Sequence, residues 1–159
     1  TGSLSQHACQ PDFMPDLLES GTLNTPGIVG LGRAVRFISE AGRENIRLHK
    51  QKLLKKLFDG LRDIKRIRMY SPDDVNWNSG IAALNIDDMD STEVCAILDK
   101  EYGIAARPGL HCAPFAHEAF KTLDRGMVRL SIGYSNTEAE IDETLAAIAE
   151  IAGQKKQSV

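Results

Sequence analysis

The chain has 159 residues, of which 42% are hydrophobic and 26% charged, and its formal net charge is −3. These values are typical of a folded domain with its own core, and they exclude an intrinsically disordered chain. No apolar run reaches the roughly 20 residues that a membrane helix needs. Residues 1–20 also lack the apolar stretch of a signal peptide. We therefore expect a protein of the cytoplasm that makes no membrane contact.

The three cysteines, Cys9, Cys95 and Cys112, are widely spaced and form no CxxC pair. The pattern predicts neither a disulfide framework nor a zinc knuckle, and a reducing compartment is the natural setting for such a chain. No two histidines lie four residues apart beside a third ligand, so we predict no metal site.

The first predicted element is a helix that begins after Asn24 or Thr25 as N-cap and ends at Gly42. Pro26 occupies the first helical position, where its missing N–H costs nothing. Residues 1–23 are rich in turn-forming residues and are predicted as loop, and we expect this abrupt start to be a cut end. The helix also carries three glycines, which predict close packing against another backbone: Gly27, Gly30 and Gly32.

The second predicted helix runs from about Arg43 to Leu61 and is strongly basic. Residues 43–68 hold ten Lys or Arg against three Asp or Glu, a local charge of +7. A basic helix can bind nucleic acid or an acidic partner, but no aromatic residues alternate with these charges. A solvated helix face is the interpretation that we prefer, with no nucleic-acid partner.

The rest of the chain alternates short strands and helices. Four strands are predicted, at residues 67–70, 80–86, 104–107 and 127–132. Further helices are expected after Asp90 or Ser91, at about 114–122, and after Asn136 or Thr137. This order indicates an α+β fold in which a short mixed or antiparallel sheet packs against helices.

Cys112 is the leading candidate for chemistry, because it lies in a loop bounded by proline and glycine and not on an apolar face. Arg107 lies five residues before it and His117 five residues after it. Nearby cationic groups favour the reactive thiolate, and a loop lets a nucleophile move. Two alternatives stay open: a free cysteine packed beneath a loop, and a Cys–His diad with His117 or His49.

Two arginines near strand ends are the next candidates. Arg107 and Arg129 could each hold a carboxylate through two parallel hydrogen bonds, although a surface ion pair with one of the 22 acidic residues is an alternative. Cys95 lies among apolar residues of a predicted helix and is interpreted as structural, whereas Cys9 has no supporting pattern.

Three stretches, taken together, resemble the class V aminotransferase family. Residues 19–27 (ESGTLNTPG) with 30–32 (GLG) are similar to the family's entry into its small domain. Residues 107–114 (RPGLHCAP) resemble the active-site cysteine loop of group II cysteine desulfurases, which include selenocysteine lyases. Residues 128–131 (VRLS) and 134–137 (YSNT), with the acidic helix after them, resemble the closing strand and helix.

The resemblance implies the small C-terminal domain of a fold type I enzyme that depends on pyridoxal 5′-phosphate (PLP) and acts as a homodimer. Residues 1–23 would be the trailing segment of the large PLP-binding domain, and residues 24–159 the small domain. The family's Schiff-base lysine follows a histidine, but His49-Lys50 lies in the basic helix. The family's aspartate for the pyridine nitrogen has no counterpart either. We therefore expect this chain alone to bind no PLP and to be inactive.

The resemblance also assigns roles residue by residue. Cys112 would attack the sulfur of a cysteine–PLP adduct, release alanine and pass its persulfide to an acceptor protein or small thiol. Arg129 would bind the substrate α-carboxylate, and Arg107 would steer the same anionic end or stabilise the thiolate. Thr22 would contact the cofactor phosphate of the neighbouring subunit. No role is assigned to His111.

Several alternatives remain at this stage. Pro108 replaces the threonine of many family members and predicts a stiffer loop. The substrate could be L-cysteine, selenocysteine or another amino acid, because related class V enzymes act as transaminases or lyases. A different class of function is a stand-alone sulfur-carrier or interaction domain that accepts a persulfide on Cys112 without PLP chemistry.

Overall fold

The computed structural model describes residue 4 and residues 6–19, 21–72 and 74–153. Ser20, in the first of the resembling stretches, lies outside these ranges. Backbone contacts divide the chain into two compact units, residues 1–43 and 44–159, which are described separately below. The predicted border between family domains after residue 23 is a different division and stays a prediction.

The first unit consists of an N-terminal loop region and helix α1, Thr25–Ala41. The Asn24 side chain caps this helix by accepting a hydrogen bond from the Gly27 N–H at 3.1 Å, and Gly42 ends it with a φ of 81°. Both predicted helix boundaries are confirmed. No residue of α1 is buried, and a Cβ added at Gly30 or Gly32 would meet no heavy atom within 4 Å. The predicted close packing against a backbone is therefore wrong for the described residues.

Among the residues that the structure describes, four helices and three strands follow α1. The helices are α2 (Arg43–Asp63), α3 (Ser91–Tyr102), α4 (Pro114–Phe120) and α5 (Glu138–Gly153), with a short 3₁₀ turn at Val75–Trp77. Asp90 caps α3 through its side chain, and Thr137 with Glu140 forms a reciprocal capping box at the start of α5. Within the described ranges, no helix is both long and apolar enough to cross a membrane.

The sheet is antiparallel and has the order β1-β2-β3. Its strands are β1 (Ile67–Met69), β2 (Ile81–Ile86) and β3 (Val128–Ser131). Ile67 pairs with Ile86, and Ile81 pairs with Ser131. The α+β class and the short sheet are confirmed, and the sheet is antiparallel throughout.

The strand predicted at residues 104–107 is wrong, because only Arg107 forms a bridge, with Arg129. The Ile104 N–H donates instead to the Leu98 carbonyl at the end of α3, at 2.9 Å. Beyond Arg107, the Met127 N–H donates to the Gly109 carbonyl at 3.1 Å, but the Gly109 N–H donates to Ser91 Oγ and not to β3. The segment therefore makes one antiparallel bridge beside β3 and leaves the strand at Gly109.

The core lies between the sheet and the apolar faces of α2, α3 and α5. Its largest fully buried side chains come from all of these elements and include Leu53, Leu57, Phe58, Leu61, Leu84, Ile86, Leu98, Val128, Ile148 and Ile151. Full burial of each such side chain contributes about 1.5–3 kcal/mol to the stability of the folded state. This packing fixes α3 and β3, and the stretch of chain between these two elements carries Cys112.

The basic face of α2 is partly neutralised by the acidic start of α5. Lys52 Nζ lies 2.5 Å from Glu138 Oε1, and Lys56 Nζ lies 2.7 Å from Asp142 Oδ2. These pairs are exposed and each contributes little to stability. They do show that part of the local positive charge faces acidic side chains of the same chain, at the protein surface.

Candidate functional site

Cys112 lies in a short loop, residues 108–113, which we call the Cys112 loop. The thiol is free and exposed. His111 and Cys112 both have positive φ values, 53° and 59°, and the Ala113 N–H donates to the Leu110 carbonyl at 2.9 Å. Left-handed backbone costs a non-glycine residue about 1–2 kcal/mol. The fold therefore holds two adjacent residues in an unfavourable conformation at the cysteine, a feature common at functional sites.

Arg107 approaches the thiol from the base of the loop. Its Nη2 atom lies 3.8 Å from Cys112 Sγ, within hydrogen-bonding range for sulfur. The contact places a fixed positive charge beside the sulfur, which is the setting in which nucleophilic cysteines are found. The structure thus brings together two of the residues predicted for the site.

Arg129 is the third predicted residue, and it lies directly opposite Arg107 in the antiparallel bridge. Opposed residues of antiparallel strands place their side chains on the same face. Arg129 is half-buried, and its Nε is a buried donor that has no hydrogen-bond partner among the described residues. A buried unpaired donor is costly, so this position is suited to an anionic acceptor such as a carboxylate.

His111 turns back onto the base of the loop. Its Nε2 donates to the Arg107 carbonyl at 2.9 Å, since a carbonyl only accepts, and its Nδ1 then carries the lone pair. Burial lowers the pKa of His111, and the positive charges of Arg129 and Arg107 lower it further, against the effect of this hydrogen bond. The ring is therefore held neutral beside Cys112.

His117 and His49 are not partners of the thiol. His117 is buried in α4, where its Nδ1 shares a hydrogen bond of 2.9 Å with Thr122 Oγ1. The Nε2 of His49 donates to the Asn136 carbonyl at 3.0 Å. Neither ring hydrogen-bonds to Cys112 within the described part of the chain, so the alternative of a Cys–His diad is not supported.

The other predicted residues are Thr22 and two further cysteines, and each is described within its own unit. Thr22 is exposed in the first unit. Cys95 is buried in α3, and burial raises the pKa of its thiol to about 11, which suits a structural cysteine. Cys9 is exposed. Across the described ranges, no three His, Cys, Asp or Glu side chains are grouped so that they could hold a metal ion.

Sequence reasoning missed two buried polar residues beneath the Cys112 loop. Ser91 Oγ accepts from the Gly109 N–H at 3.2 Å, and Asn85 Nδ2 donates to the Gly126 carbonyl at 3.0 Å. The sequence contains one indication for each residue. Ser91 directly follows Asp90, and because a helix needs only one N-cap residue, the second side chain is available for another contact. Asn85 is a polar residue within a strand that is otherwise apolar.

Comparison with known proteins shows which proteins this chain resembles. Residues 3–144 match the family model described as aminotransferase class-V. The chain is 37% identical over 143 residues to a probable cysteine desulfurase of Methanothermobacter thermautotrophicus, covering 89% of this chain and 35% of that protein. It is 34% identical over 137 residues to a cysteine desulfurase of Klebsiella pneumoniae, covering 86% and 32%.

Solved structures agree with the sequence comparisons. The apo structure of a cysteine desulfurase from Thermococcus onnurineus matches with a TM-score of 0.78 and 30% identity, over 87% of this chain and 34% of that one. The cysteine desulfurase CsdA from Escherichia coli matches with a TM-score of 0.75 and 25% identity, over 87% and 33%. The chain thus spans about a third of the length of the relatives that it matches.

Proposed function

The chain belongs to the class V aminotransferase family, and on that premise we propose that it is part of a PLP-dependent cysteine desulfurase. The reaction converts L-cysteine to L-alanine and leaves the sulfur as a persulfide on Cys112. The observation that carries this proposal is the 3.8 Å contact between the Arg107 guanidinium and the Cys112 thiol. It supplies an exposed nucleophile beside a fixed positive charge.

The residues present suit a substrate that also engages PLP. PLP supplies an electron sink when it is bound. The buried, unpaired Nε of Arg129 leaves a donor for the carboxylate of an amino acid. We propose that Thr22, exposed in the first unit, contacts the cofactor phosphate across a homodimer. The isolated chain binds no PLP in this proposal, because it has no lysine in the context of the family's Schiff base.

Arg129 binds and orients the substrate in this proposal. Its guanidinium can give two parallel hydrogen bonds to the α-carboxylate, a geometry that a lysine ammonium cannot reproduce. The backbone of Arg129 is fixed by the bridge to Arg107, with N–H···O distances of 3.1 and 2.9 Å. The arginine that binds the carboxylate is therefore bridged through its backbone to Arg107, the arginine that contacts the thiol.

Cys112 carries the sulfur. Its thiolate forms a bond to the substrate sulfur while the substrate's carbon–sulfur bond breaks, and the electron pair of that bond stays with the carbon skeleton. Protonation of that carbon gives alanine, and Cys112 keeps the persulfide. A thiolate of an acceptor protein or small thiol then attacks the outer sulfur, and Cys112 leaves as the thiolate. No external oxidant or reductant is needed.

The division into domains completes the proposal. Residues 1–23 belong to the large PLP-binding domain, and residues 24–159 form the small domain that presents the Cys112 loop. Both L-cysteine and selenocysteine suit the same site, because both place a nucleophile-accepting chalcogen on the same carbon. We propose L-cysteine as the substrate, in line with the cysteine desulfurases that the chain resembles.

The experiment measures alanine released from L-cysteine by a PLP-loaded enzyme that carries this chain. Cys112→Ser should abolish alanine release while leaving the absorbance of bound PLP unchanged. Cys9→Ser is the matched control, since Cys9 is another exposed free thiol, and it should retain activity. Loss of both activity and PLP absorbance in Cys112→Ser would make Cys112 a structural residue and overturn the proposal.

A second experiment tests the isolated chain. Incubation with PLP, reduction with borohydride and mass spectrometry should give no stoichiometric lysine adduct, and added L-cysteine should release no sulfide. A single adduct at one lysine would show that the chain carries its own cofactor site. Sulfide release by the chain alone would contradict the proposed division of labour between domains.

A further inference from the structure

Ser91 is a buried hydroxyl that serves neither the helix cap nor the proposed reaction. It is the first residue of α3 and is 2% exposed. Asp90 caps the helix by accepting from the Thr92 N–H at 2.7 Å. The Ser91 hydroxyl is therefore left for contacts outside its own helix.

One of those contacts is made to the Cys112 loop and the other to the segment that precedes β3. Ser91 Oγ accepts from the Gly109 N–H at 3.2 Å and donates to the Arg125 carbonyl at 2.7 Å. The Ser91 backbone N–H also donates to that carbonyl, at 3.3 Å. Gly109 is in the loop itself, and Arg125 precedes β3. One side chain thus joins the two segments to α3.

The Ser91 contact extends the backbone ladder at the base of the loop. Arg107 and Arg129 exchange two hydrogen bonds, and the Met127 N–H donates to the Gly109 carbonyl at 3.1 Å. After the Arg107 N–H, the Gly109 N–H is the next donor of this segment in the ladder, and it donates to Ser91 Oγ and not to a strand. Ser91 therefore binds the backbone at the point where the loop leaves the sheet.

The backbones at this base are in direct contact, so little space is available for adjustment. A Cβ added at Gly126 would lie 2.6 Å from the Gly109 Cα. Asn85, 1% exposed, donates from Nδ2 to the Gly126 carbonyl at 3.0 Å. A loop tip with two left-handed residues needs a base of this kind to keep its conformation.

We infer that Ser91 is a positioning residue, which holds the base of the Cys112 loop and thereby keeps the thiol against Arg107. Ser91 does not touch the reacting atoms. The role of Ser91 in sulfur transfer rests on the proposed function, whereas its hydrogen bonds to Gly109 and Arg125 do not. The two can therefore be tested separately.

Hydrogen exchange of the Gly109 amide in the 159-residue chain tests the hydrogen bond. Ser91→Ala should speed this exchange about fivefold, the factor that corresponds to about 1 kcal/mol for one hydrogen bond. Asp90→Ala is the matched control, because it removes the helix cap and leaves the loop contact. It should speed exchange at the start of α3 and leave Gly109 unchanged.

Alkylation of Cys112 tests positioning, which a merely structural role would not affect. Arg107→Ala should slow the reaction of Cys112 with iodoacetamide, measured against Cys9 in the same sample. The factor by which Arg107→Ala slows alkylation should be at least about twofold smaller in the Ser91→Ala background, because the thiol is then held less closely against Arg107. Ser91→Thr and Ser91→Val form a second pair of equal shape, and only the threonine should preserve the full effect of Arg107→Ala.

Either of two results would overturn the inference. One is Gly109 exchange in Ser91→Ala that matches the wild-type rate or that Asp90→Ala reproduces. The other is an Arg107→Ala effect of equal size in all Ser91 backgrounds. Neither measurement needs PLP or desulfurase activity, so failure here is distinct from failure of the proposed function.

Discussion

Arg107 and Arg129 face each other across an antiparallel bridge, each donating its backbone N–H to the other's carbonyl. One guanidinium contacts the Cys112 thiol, and the other has a buried, unpaired Nε among the described residues. Two like charges on one face of neighbouring strands repel each other. Such an arrangement favours the binding of an anion, and the proposed site offers two: the thiolate and the substrate carboxylate.

The contact between Arg107 and the thiol predicts a measurable reactivity. Arg107→Ala should slow alkylation of Cys112 by iodoacetamide about fivefold at neutral pH, because charges about 4 Å apart attract appreciably even in water-like surroundings. Mass spectrometry of the two peptides in one sample gives the rates for Cys112 and Cys9. The Cys9 rate should not change. If Cys112 reacts equally fast in the wild-type chain and in Arg107→Ala, the contact between Arg107 and the thiol is contradicted.

Arg129 should act mainly on substrate binding. In a PLP-loaded enzyme that carries this chain, Arg129→Ala should weaken the binding of L-cysteine by about 2–5 kcal/mol, as expected when one partner of a buried charge pair is removed. Steady-state kinetics would show this as a raised KM. Arg129→Lys, which keeps the charge and loses the paired hydrogen bonds, should recover only part of the affinity. Unchanged kinetics would place Arg129 outside the site.

The close approach of Gly126 to Gly109 predicts a difference between two glycines with similar backbone conformation. Gly126 and Gly103 have φ values of 64° and 66°, but a Cβ at Gly126 would lie 2.6 Å from Gly109 Cα and one at Gly103 would meet nothing within 4 Å. Gly103→Ala should cost about 1–2 kcal/mol of left-handed strain. Gly126→Ala should cost about 1–3 kcal/mol more through overpacking. Denaturant unfolding of both variants measures the difference, and equal losses would contradict the predicted contact.

The environment of His111 predicts a pH dependence. Burial and two arginines lower the pKa of His111, so the folded chain binds this proton less tightly than the unfolded chain. The free energy of unfolding should therefore fall as the pH drops through the unfolded pKa of histidine, about 6.5, towards the lower folded value. NMR titration of the ring gives the folded pKa directly.

The control for this titration is His111→Gln, which should reduce the loss of stability between about pH 7.5 and 5.5. The comparison uses the difference between the two proteins, so that the contributions of all other groups cancel. A His111 ring that titrates above the ordinary histidine value would contradict the assigned environment.

Much of the fold followed from the sequence because its signals were local. Asn24 with Pro26 marked the start of α1, and Gly42 marked its end. The second helix was predicted from about Arg43 to Leu61, and it runs from Arg43 to Asp63. Such signals depend on neighbouring residues, and the folded chain preserves them.

What the sequence did not predict depended on contacts between distant segments. Residues 104–107 have the composition of a strand, but the Ile104 N–H bonds to the end of α3 and the Gly109 N–H bonds to Ser91, so only Arg107 forms a bridge. Ser91 and Asn85 act on Gly109 and Gly126, which are 18 and 41 residues away. In the candidate site, the motif indicated Cys112 and left two roles open for Arg107, and the structure places the Arg107 guanidinium 3.8 Å from the sulfur.

The central claim is that Cys112 receives the sulfur of L-cysteine. The most direct test supplies L-cysteine to a PLP-loaded enzyme that carries this chain, blocks free thiols, and locates the added sulfur by peptide mass spectrometry. The account predicts the mass of one extra sulfur atom on the peptide that holds Cys112, and no alanine from Cys112→Ser. Extra sulfur on another cysteine, or alanine release that survives Cys112→Ser, would contradict it.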